Sequence, residues 1–367
     1  MNIATSGYTA AQVMAALHSP NREIAFKYDL LDSSNVYKQE LSNVISAGVS
    51  NNALARIKRT AKFTIREDGT INYLSDRIKP WIRIKMSDGG WTEWPQGVFL
   101  LSTPPRQKDV IGITRDVEAY DLLQLLTDDK VDTRYTVASG TNYITAVGTV
   151  LTAAGVTDQN LTPTTLTLPA VRDWEPGTEK LTIINDLLAA INYDSLEFNE
   201  SGQAVAKPYV TPSSRTSEYT YRNDSTSVIF PGVEQALDLF AIPNKWVLVK
   251  SEPDAPALIG TYTNSSADSP TSTTNRGRTI VSYQTGVEAA DQATITAMAA
   301  RTAFHASQIY ETVNFKTAIM PIHSNADLLT LEYTELGISA KYTELSWSYN
   351  LKAGAQMSHA VRRVVAI

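Results

Sequence analysis

The fold is decided by two stretches near the end of the chain, Leu328-Leu-Thr-Leu-Glu-Tyr-Thr334 and Lys341-Tyr-Thr-Glu-Leu-Ser-Trp-Ser-Tyr-Asn350. Both alternate Tyr, Thr, Leu and Trp with polar residues, which suits a pleated surface that is buried on one side. They belong to a final region, Thr312 to Ile367, that contains four or five short strand patterns joined by tight Gly or Asn turns. This region predicts antiparallel β-structure and has no recognisable catalytic spacing.

The first hundred residues have the same character. Apolar residues alternate with polar ones over 61–65, Asp68-Gly69 supplies a hairpin turn, and 71–74 is the expected return strand. We therefore predict an antiparallel barrel or sandwich from about 21 to 115. A short Ala-rich helix is expected before it, over 9–18.

The pattern changes at Asp116, where apolar residues begin to recur at helical spacing. Three segments show this spacing: Val117, Tyr120, Leu123 and Leu126; Ile144, Val147, Leu151 and Ala154; and Leu181, Ile184, Leu188 and Ile191. Gly155 is placed to follow the second helix, and Thr178 is placed to cap the third. Residues 116–195 are therefore predicted to form an α+β insert with three amphipathic helices.

Strands and Pro-containing turns return from 196 to 256, and an Ala-rich helix is predicted over 288–308. The polar residues 260–279 between them predict a long exposed loop. The predicted fold class is mainly β with an α+β insert. Its expected units are a first β-barrel domain (1–115), the α+β insert domain (116–215), a second β-barrel domain (216–256 and 310–367), and a polar loop with an Ala-rich helix (257–309).

Composition limits the possible classes of protein. The 367 residues are 43% hydrophobic and 19% charged, carry a net charge of −6 and include no cysteine. The apolar content excludes wholesale disorder, and the negative charge gives no overall basic field that would attract nucleic acid. The lack of cysteine excludes disulfides, thiolate metal sites and cysteine nucleophiles. No apolar stretch of about 18 residues is present, so we predict no membrane-spanning segment.

The motifs of common enzyme classes do not occur. The four histidines, His18, His305, His323 and His359, form no pair at helical metal-binding spacing, so each is expected at the surface or as a cap. No Gly-x-Ser-x-Gly elbow, Walker pattern or Gly-x-Gly-x-x-Gly turn is present. The sequence therefore predicts no catalytic, cofactor-binding or metal-binding residues, and no cofactor.

Two acidic patterns have simpler explanations than chemistry. The stretch Asp128-Asp129-Lys-Val-Asp132 could supply oxygen ligands for calcium, but it lacks the Gly and the final Glu of a calcium loop, so a solvent-facing helix end is favoured. Glu332 with Glu335, or Asp173 with Glu175, could act as glycosidase acids. Among 38 acidic residues such pairs arise by chance.

Two further patterns could bind ligands. The two guanidinium groups of Asn275-Arg-Gly-Arg278 could hold a phosphate or carboxylate, although an exposed turn or a clasp to a neighbouring subunit is favoured. Trp81, Trp91 and Trp94 could form a sugar platform, although a place in the barrel core, or as a plug at its end, is favoured.

Four stretches, taken in order, resemble the baseplate hub and tail-tip proteins of tailed bacteriophages and contractile injection systems. The first, 115–126, is similar to that family's passage from strand to helix, where an aromatic-Asp pair opens the helix. The others resemble a helix ending in Ala-Gly-Val, a helix-strand-turn unit and a closing hairpin, and they lie at 142–156, 180–202 and 337–362. The resemblance runs from about residue 20 to the end.

This resemblance implies a homotrimer in which each subunit contributes two tube-like β-domains to a pseudo-sixfold ring around a channel. It implies contacts with the tail tube or distal tail protein on one side and with a spike or central fibre protein on the other. Genomic DNA or tape measure protein would pass through the channel. The implied role is structural and not enzymatic, at the tail tip or baseplate of a virion whose proteins are made in the host cytoplasm.

Larger tail-tip proteins carry more domains, and because this chain stops at Ile367 we expect no appended peptidase, lysozyme or fibre domain. Two other functions remain open on the sequence. One is a cell-wall hydrolase or peptidase carried on the tail tip, which would need a cleft with a perturbed acid or a metal. The other is a carbohydrate-binding or receptor-binding module that uses the tryptophans.

Overall fold

The computed structural model describes residues 1, 3, 7–110, 112–237, 240, 242–252, 255–307 and 311–364. The first region contains one helix and nine strands. These are α1 Ala10–Leu17, β1 Ile24–Leu31, β2 Tyr37–Glu40, β3 Val44–Asn52, β4 Arg59–Arg66, β5 Arg77–Lys85, β6 Trp91–Pro95, β7 Phe99–Leu101, β8 Gln107–Asp109 and β9 Gly112–Asp121. The expected helix over 9–18 is confirmed as α1, which begins with a capping box between Thr9 and Gln12.

Helices predominate in the middle of the chain. Its elements are α2 Leu123–Asp128, β10 Tyr135–Val137, α3 Tyr143–Ala153, β11 Gln159–Leu161, β12 Arg172–Trp174, α4 Lys180–Ala189, β13 Glu197–Phe198, β14 Ala204–Ala206 and the 3₁₀ turn Pro212–Ser214. Helix α3 is capped by Asn142 and followed by Gly155 at φ +79°, as its sequence predicts.

Strands predominate again towards the end. The elements are β15 Tyr219–Arg222, β16 Ile229–Leu237, β17 Lys245–Glu252, β18 Ala255–Thr263, α5 Thr273–Arg276, β19 Val281–Thr285, α6 Gln292–Ser307, β20 Glu311–Ala318, β21 Leu328–Tyr333, the 3₁₀ turn Thr334–Leu336, β22 Ile338–Asn350 and β23 Gln356–Arg363. The helix expected over 288–308 is confirmed as α6.

One 15-stranded sheet joins the beginning and the end of the chain. Its main path runs β16-β20-β23-β22-β3-β4-β9-β7-β5-β1-β2. The two regions meet where β22 pairs antiparallel with β3, from Ser346 opposite Asn52 to Asn350 opposite Gly48. We call β3, β4, β9 and β7 the first half of the sheet, and β16, β20, β23 and β22 the second half. The structure thus confirms a mainly β fold with an α+β insert.

The hydrophobic side chains form three clusters. The largest packs behind the sheet and draws on both of its halves, including Phe63 and Ile82 from the first region and Tyr342 and Trp347 from the last. A second cluster lies within the insert, between α2, α3 and α4. A third holds α6 against β17, with Trp246 at its centre. Burial of these apolar surfaces supplies the main driving force for folding.

The helix expected to start at Asp116 begins later. Residues 112–121 form β9, in which Val117 pairs with Phe63 on β4 and every second residue from Val117 to Asp121 is buried. The helix opens only at Leu123, whose backbone N–H donates to the Asp121 carboxylate at 3.0 Å. Val117, Tyr120 and Leu123 are three residues apart, and this spacing resembles helical periodicity. Val117 is buried because of the two-residue alternation of a strand.

Two other local predictions were also wrong. Residues 71–74, expected as a return strand, form no strand, because β4 pairs with β9 and β3 instead. Thr178 does not cap α4. The N-cap is Glu179, and the Thr178 hydroxyl donates to the carbonyl of Glu175 at 2.7 Å.

The polar residues 260–279 do not form a long exposed loop. Strand β18 extends to Thr263, and the segment that follows folds around the buried side chain of Asn264. Its amide donates to Ser269 Oγ at 2.8 Å, and Ser272 caps α5. A polar sequence can be ordered in this way because its side chains bond to one another and to the backbone.

Candidate functional site

The most extensive polar feature is one face of the sheet. Along the central strands every second residue points away from the hydrophobic core, and these residues are mostly Ser, Thr, Asn and oppositely charged pairs. We call this surface the polar face. It comprises Ser46, Gly48, Ser50, Thr60, Lys62, Thr64, Asp116, Glu118, Glu234, Asn314, Lys316, Ser346, Ser348, Asn350 and Ser358.

Cross-strand registers show that the polar face is continuous between the two halves of the sheet. One row of facing residues passes from Lys316 through Ser358, Ser348 and Ser50 to Thr60. This row crosses the junction between β22 and β3 without an apolar interruption. The side chains on the opposite face of the same strands, such as Phe63 and Val117, belong to the core. Because of this alternation, one face of the sheet packs against the core and the other faces solvent.

Neighbouring side chains on the polar face satisfy one another. Ser50 and Thr60 share a hydrogen bond of 2.8 Å, and Thr64 donates to Asp116 at 2.8 Å. Lys62 Nζ lies 3.6 Å from Glu118, with both side chains largely exposed. Such cross-strand pairs stabilise a sheet modestly. The polar face as a whole carries two lysines, Lys62 and Lys316, and three carboxylates, so its charge is slightly negative.

The polar face is concave. Two open depressions of about 990 and 710 Å³ lie on it and share their lining at Ser50, Thr60, Ser348 and Ser358. A small-molecule pocket is usually lined by apolar side chains with a few converging polar groups. This surface is instead broad and open, with polar and apolar atoms in similar amounts, so its shape suits a wide passage or a large partner better than a small ligand.

The second half of the sheet ends in a strand edge. Within the described part of the chain, β16 pairs only with β20, and its other edge meets no strand. The pairing is irregular between Phe230 and Glu234, where Gly232 has φ +102°. At the far end of the sheet β2 is exposed along its whole length. Unpaired edges can add strands from another chain.

The two arginines of Asn275-Arg-Gly-Arg278 do not form an anion site together. Arg276 donates to the carbonyl of Ile242 at 2.7 Å, and Gly277 ends α5 in the left-handed conformation. The guanidinium of Arg278 lies 5.6 Å from the centroid of the Phe240 ring. Both cations are thus engaged within the chain.

The acidic patterns also have partners inside the chain. Asp129 follows the last residue of α2 and binds Lys180 at 2.6 Å, which agrees with the expected helix end. Glu332 binds Arg222 at 2.7 Å. Asp173 and Glu175 both lie 3.5 Å from Arg134. These contacts are ordinary surface ion pairs.

The three tryptophans occupy different environments. Trp94 is buried in the core, as predicted. Trp81 is half-buried and its indole N–H donates to Asp29 at 2.7 Å, with Lys27 and Lys79 on its ring. Trp91 is exposed and lies under Arg83. The prediction that the tryptophans lie in the core is therefore wrong for Trp81 and Trp91. Trp94 lies on the opposite face of the strand pair, so the three rings do not share one surface.

A cluster that the sequence did not reveal lies in the core of the second half. His323 and His359 are fully buried, contrary to the surface positions expected for them. Both Nδ1 atoms lie 2.6 Å from the carboxylate of Glu344, each against a different oxygen. Asp327 Oδ2 is 3.3 Å from His323 Nδ1, and its other oxygen is 3.2 Å from the α-ammonium group of Met1.

The electrostatics of this cluster follow from burial and charge. Burial alone would lower the pKa of His323, but the charge of Glu344 and hydrogen bonds to Asp327 and Glu344 raise that pKa to about 9. Burial would raise the pKa values of Asp327 and Glu344, yet the charge and hydrogen bonds of His323 lower both. Burial lowers the pKa of His359. The cluster therefore holds ionised carboxylates inside the protein.

No spacing motif could have revealed this cluster, because its members come from a loop and two strands. The one available signal is that His359 occupies a core-facing position of β23, between Met357 and Val361. His18 also makes two contacts that the sequence did not predict. Its Nδ1 lies 2.7 Å from the carbonyl oxygen of Thr226, and its Nε2 lies 2.7 Å from the Tyr219 hydroxyl.

Comparison with known proteins identifies the fold. No protein-family model matches the chain, and no curated protein does either. Among solved structures, the chain is similar to a tail protein from Neisseria meningitidis MC58, with a TM-score of 0.65, 13% identity, and 92% of this chain and 97% of the other covered. It is also similar to the 43 kDa tail protein of prophage MuSo2 from Shewanella oneidensis, with a TM-score of 0.60, 10% identity, and 92% and 98% covered.

A third similar structure is prophage tail protein gp18 from Listeria monocytogenes EGD-e, with a TM-score of 0.55, 13% identity, and 92% and 94% covered. The chain therefore has the fold of phage and prophage tail proteins along nearly its whole length. At the level of the fold, this similarity confirms the resemblance to tail proteins that the sequence indicated. Among the described residues, no helix is both long enough and apolar enough to cross a membrane.

Proposed function

We propose that this protein is a structural hub of a phage tail or of a related injection machine, located at the tail tip or baseplate. Three copies form a ring, and each copy contributes the two halves of its sheet as two of six similar segments. The polar face lines the central channel. The role is assembly and conduction, with no catalytic step.

The observation that carries this proposal is the continuity of the polar face across the junction of β22 with β3. A channel wall needs a wet surface on one side and a packed core on the other, and both halves of the sheet provide this arrangement. The overall charge of −6 and the paired charges on the face suit a passage for DNA or tape measure protein, because binding to phosphates requires basic residues.

The remaining details of the proposal follow from the same arrangement. The first β-barrel domain comprises residues 1–121, because β9 belongs to the main sheet, and the second comprises 216–237 and 311–364. The insert at 122–215 lies outside the ring, as does the unit at 245–307, in which β17 pairs with β18 and β19. The ring joins the tail tube or distal tail protein on one side to a spike or central fibre protein on the other. The unpaired edge of β16 closes the ring against the next subunit.

Light scattering with negative-stain imaging tests the proposal. We expect a species of three times the 40.2 kDa protomer mass, with a central hole. If the protein alone is monomeric, the imaging is repeated in the presence of the neighbouring tail protein. A closed ring with another number of subunits, or a monomer that retains saccharide and forms no ring under either condition, would contradict the hub.

A pair of matched variants tests the closing edge. Ala236 is exposed on β16, and Ala236→Lys places a charge on the edge, so we expect it to reduce the mass to that of the protomer. Ala267→Lys makes the same change at an exposed position away from the sheet and should leave the mass unchanged. A ring that survives Ala236→Lys would show that another surface closes it.

A further inference from the structure

The buried cluster in the second half of the sheet has the composition of a metal site. His323 lies in the loop before β21, Glu344 on β22 and His359 on β23, and one ligand atom from each lies within 4.8 Å of the others. We propose that these three residues bind a divalent transition metal ion, with zinc as the best fit and Asp327 as a fourth donor. This inference does not depend on the proposed hub function.

The donor atoms suit zinc in type and in spacing. Imidazole nitrogens and carboxylate oxygens are its ordinary ligands, and a tetrahedral site with bonds of about 2.0–2.1 Å separates its donors by roughly 3.3 Å. The two contacts of Glu344 are 2.6 Å, the three donors span at most 4.8 Å, and Asp327 lies 3.3 Å from His323. Bringing His323, Glu344 and His359 to the tetrahedral separation therefore requires shifts of less than about 1 Å at each of these three donors.

The outer nitrogens of both histidines have the partners that metal ligands need. His323 Nε2 lies 2.6 Å from the Tyr221 hydroxyl, and His359 Nε2 lies 2.9 Å from Thr317 Oγ1. The Thr317 hydroxyl donates to the carbonyl of Ala318 at 2.8 Å, so its oxygen can accept a proton from His359. With a proton on each Nε2, both Nδ1 lone pairs point into the cluster.

Metal binding competes with protons at the ligand atoms. The ion takes the place of any proton on the two Nδ1 atoms, so its affinity for the cluster falls as the pH is lowered.

The backbone is shaped to bring the donors together. The register of β22 against β23 shifts between Glu344 and Ser346, and this bulge allows both Glu344 and Trp347, three residues apart, to face the core. In the loop, Ala326 has φ +55°, a conformation that non-glycine residues rarely adopt, and it lies between His323 and Asp327. Two local irregularities therefore flank the same cluster, which indicates that its geometry is maintained at some cost.

The ion would join the loop carrying His323 and Asp327 to β22 and β23. Four protein donors leave no open coordination position, so the site is structural. Because the cluster is fully buried, the ion enters as the chain folds and not by diffusion into the finished protein.

Metal content is the first test. We expect about one zinc ion per chain in the full-length protein purified from zinc-supplemented cells and measured by mass spectrometry of the elements. His359→Gln should lose this zinc. His18→Gln, which changes a histidine outside the cluster, should retain it. Equal zinc in the wild type and in His359→Gln would overturn the proposal.

Refolding of the wild type covers the case in which His359→Gln does not fold. The unfolded chain is refolded with Zn²⁺, with Co²⁺ or with a chelator. We expect a higher unfolding midpoint with either ion and visible absorption bands of tetrahedral Co²⁺. An unfolding midpoint that is the same in all three conditions, without Co²⁺ bands, would show that the cluster is a metal-free network of charges.

Discussion

Each half of the sheet buries a carboxylate, and the pKa values of these two groups shift in opposite directions from their ordinary values. In the first half, Asp121 accepts hydrogen bonds from the backbone N–H groups of Arg59 and Leu123, and burial raises its pKa to about 6. In the second half, Glu344 bonds to His323 and His359. Burial would raise its pKa, but the charge of His323 and the hydrogen bonds of both histidines lower it.

The comparison shows what the two halves share and what they do not. Their polar faces continue each other, whereas their interiors use different chemistry to fill a similar space. The interior of the first half is mostly apolar and includes Phe63, Phe99 and Val117, which belong to the largest hydrophobic cluster. The interior of the second half contains the His323–Glu344–His359 cluster among aromatic rings. The feature common to both halves is therefore the polar face, as expected if the polar face performs the function.

The largest effect is expected from Glu344→Gln. The amide cannot accept from both imidazoles, and it leaves Asp327 as the one carboxylate in contact with the charged His323. Breaking a buried ion pair on one side costs about 3–5 kcal/mol. Urea unfolding followed by tryptophan fluorescence measures this loss. A loss below about 1 kcal/mol would mean that the two histidines are not held by this carboxylate.

In the first half, the corresponding change of carboxyl to amide is Asp121→Asn. It should change how the free energy of unfolding depends on pH. Since the pKa of folded Asp121 lies above its ordinary value, the stability it contributes is present below about pH 4 and is lost as the pH rises through about 6. Relative to the wild type, Asp121→Asn should therefore gain about 2.4 kcal/mol in free energy of unfolding between pH 4 and pH 7.

Unfolding curves of the wild type and of Asp121→Asn at several pH values check this prediction. The difference between the two proteins isolates Asp121 from the other acidic groups, and any constant cost of the amide cancels. A difference that stays flat from pH 4 to pH 7 would show that the carboxylate is already ionised at low pH, as in the second half.

The sequence predicted the parts of this fold that depend on local pattern. The strand 341–350 and the helices α3 and α4 could be found because their apolar residues recur within a few positions. The pairing of β22 with β3 could not be found, because it joins positions about 300 residues apart that carry no local signal of each other. The same limit concealed the cluster, since no short spacing connects His323 with His359.

A smaller effect is expected where the two halves touch. The Tyr349 hydroxyl on β22 donates to Gln96 Oε1, next to β6 in the first region, and both side chains are buried. Tyr349→Phe leaves that acceptor unpaired and should cost about 1–2 kcal/mol in urea unfolding. Tyr8→Phe removes an exposed bond to Asp88 and should cost less than about 0.5 kcal/mol. Equal losses would mean that this contact does not help to join the halves.

The smallest effect on stability is expected on the polar face itself. Lys62 and Glu118 form an exposed pair, so Lys62→Ala should change the free energy of unfolding by less than about 0.5 kcal/mol. If the face lines a channel and takes no part in subunit contacts, this variant also keeps the oligomeric mass of the wild type, whereas Ala236→Lys on the edge of β16 loses it. Light scattering of the two variants, measured in parallel, distinguishes a channel-lining surface from a surface of contact between subunits. A loss of mass with Lys62→Ala would place the polar face between subunits, and the two halves would then share a contact surface in place of a channel wall.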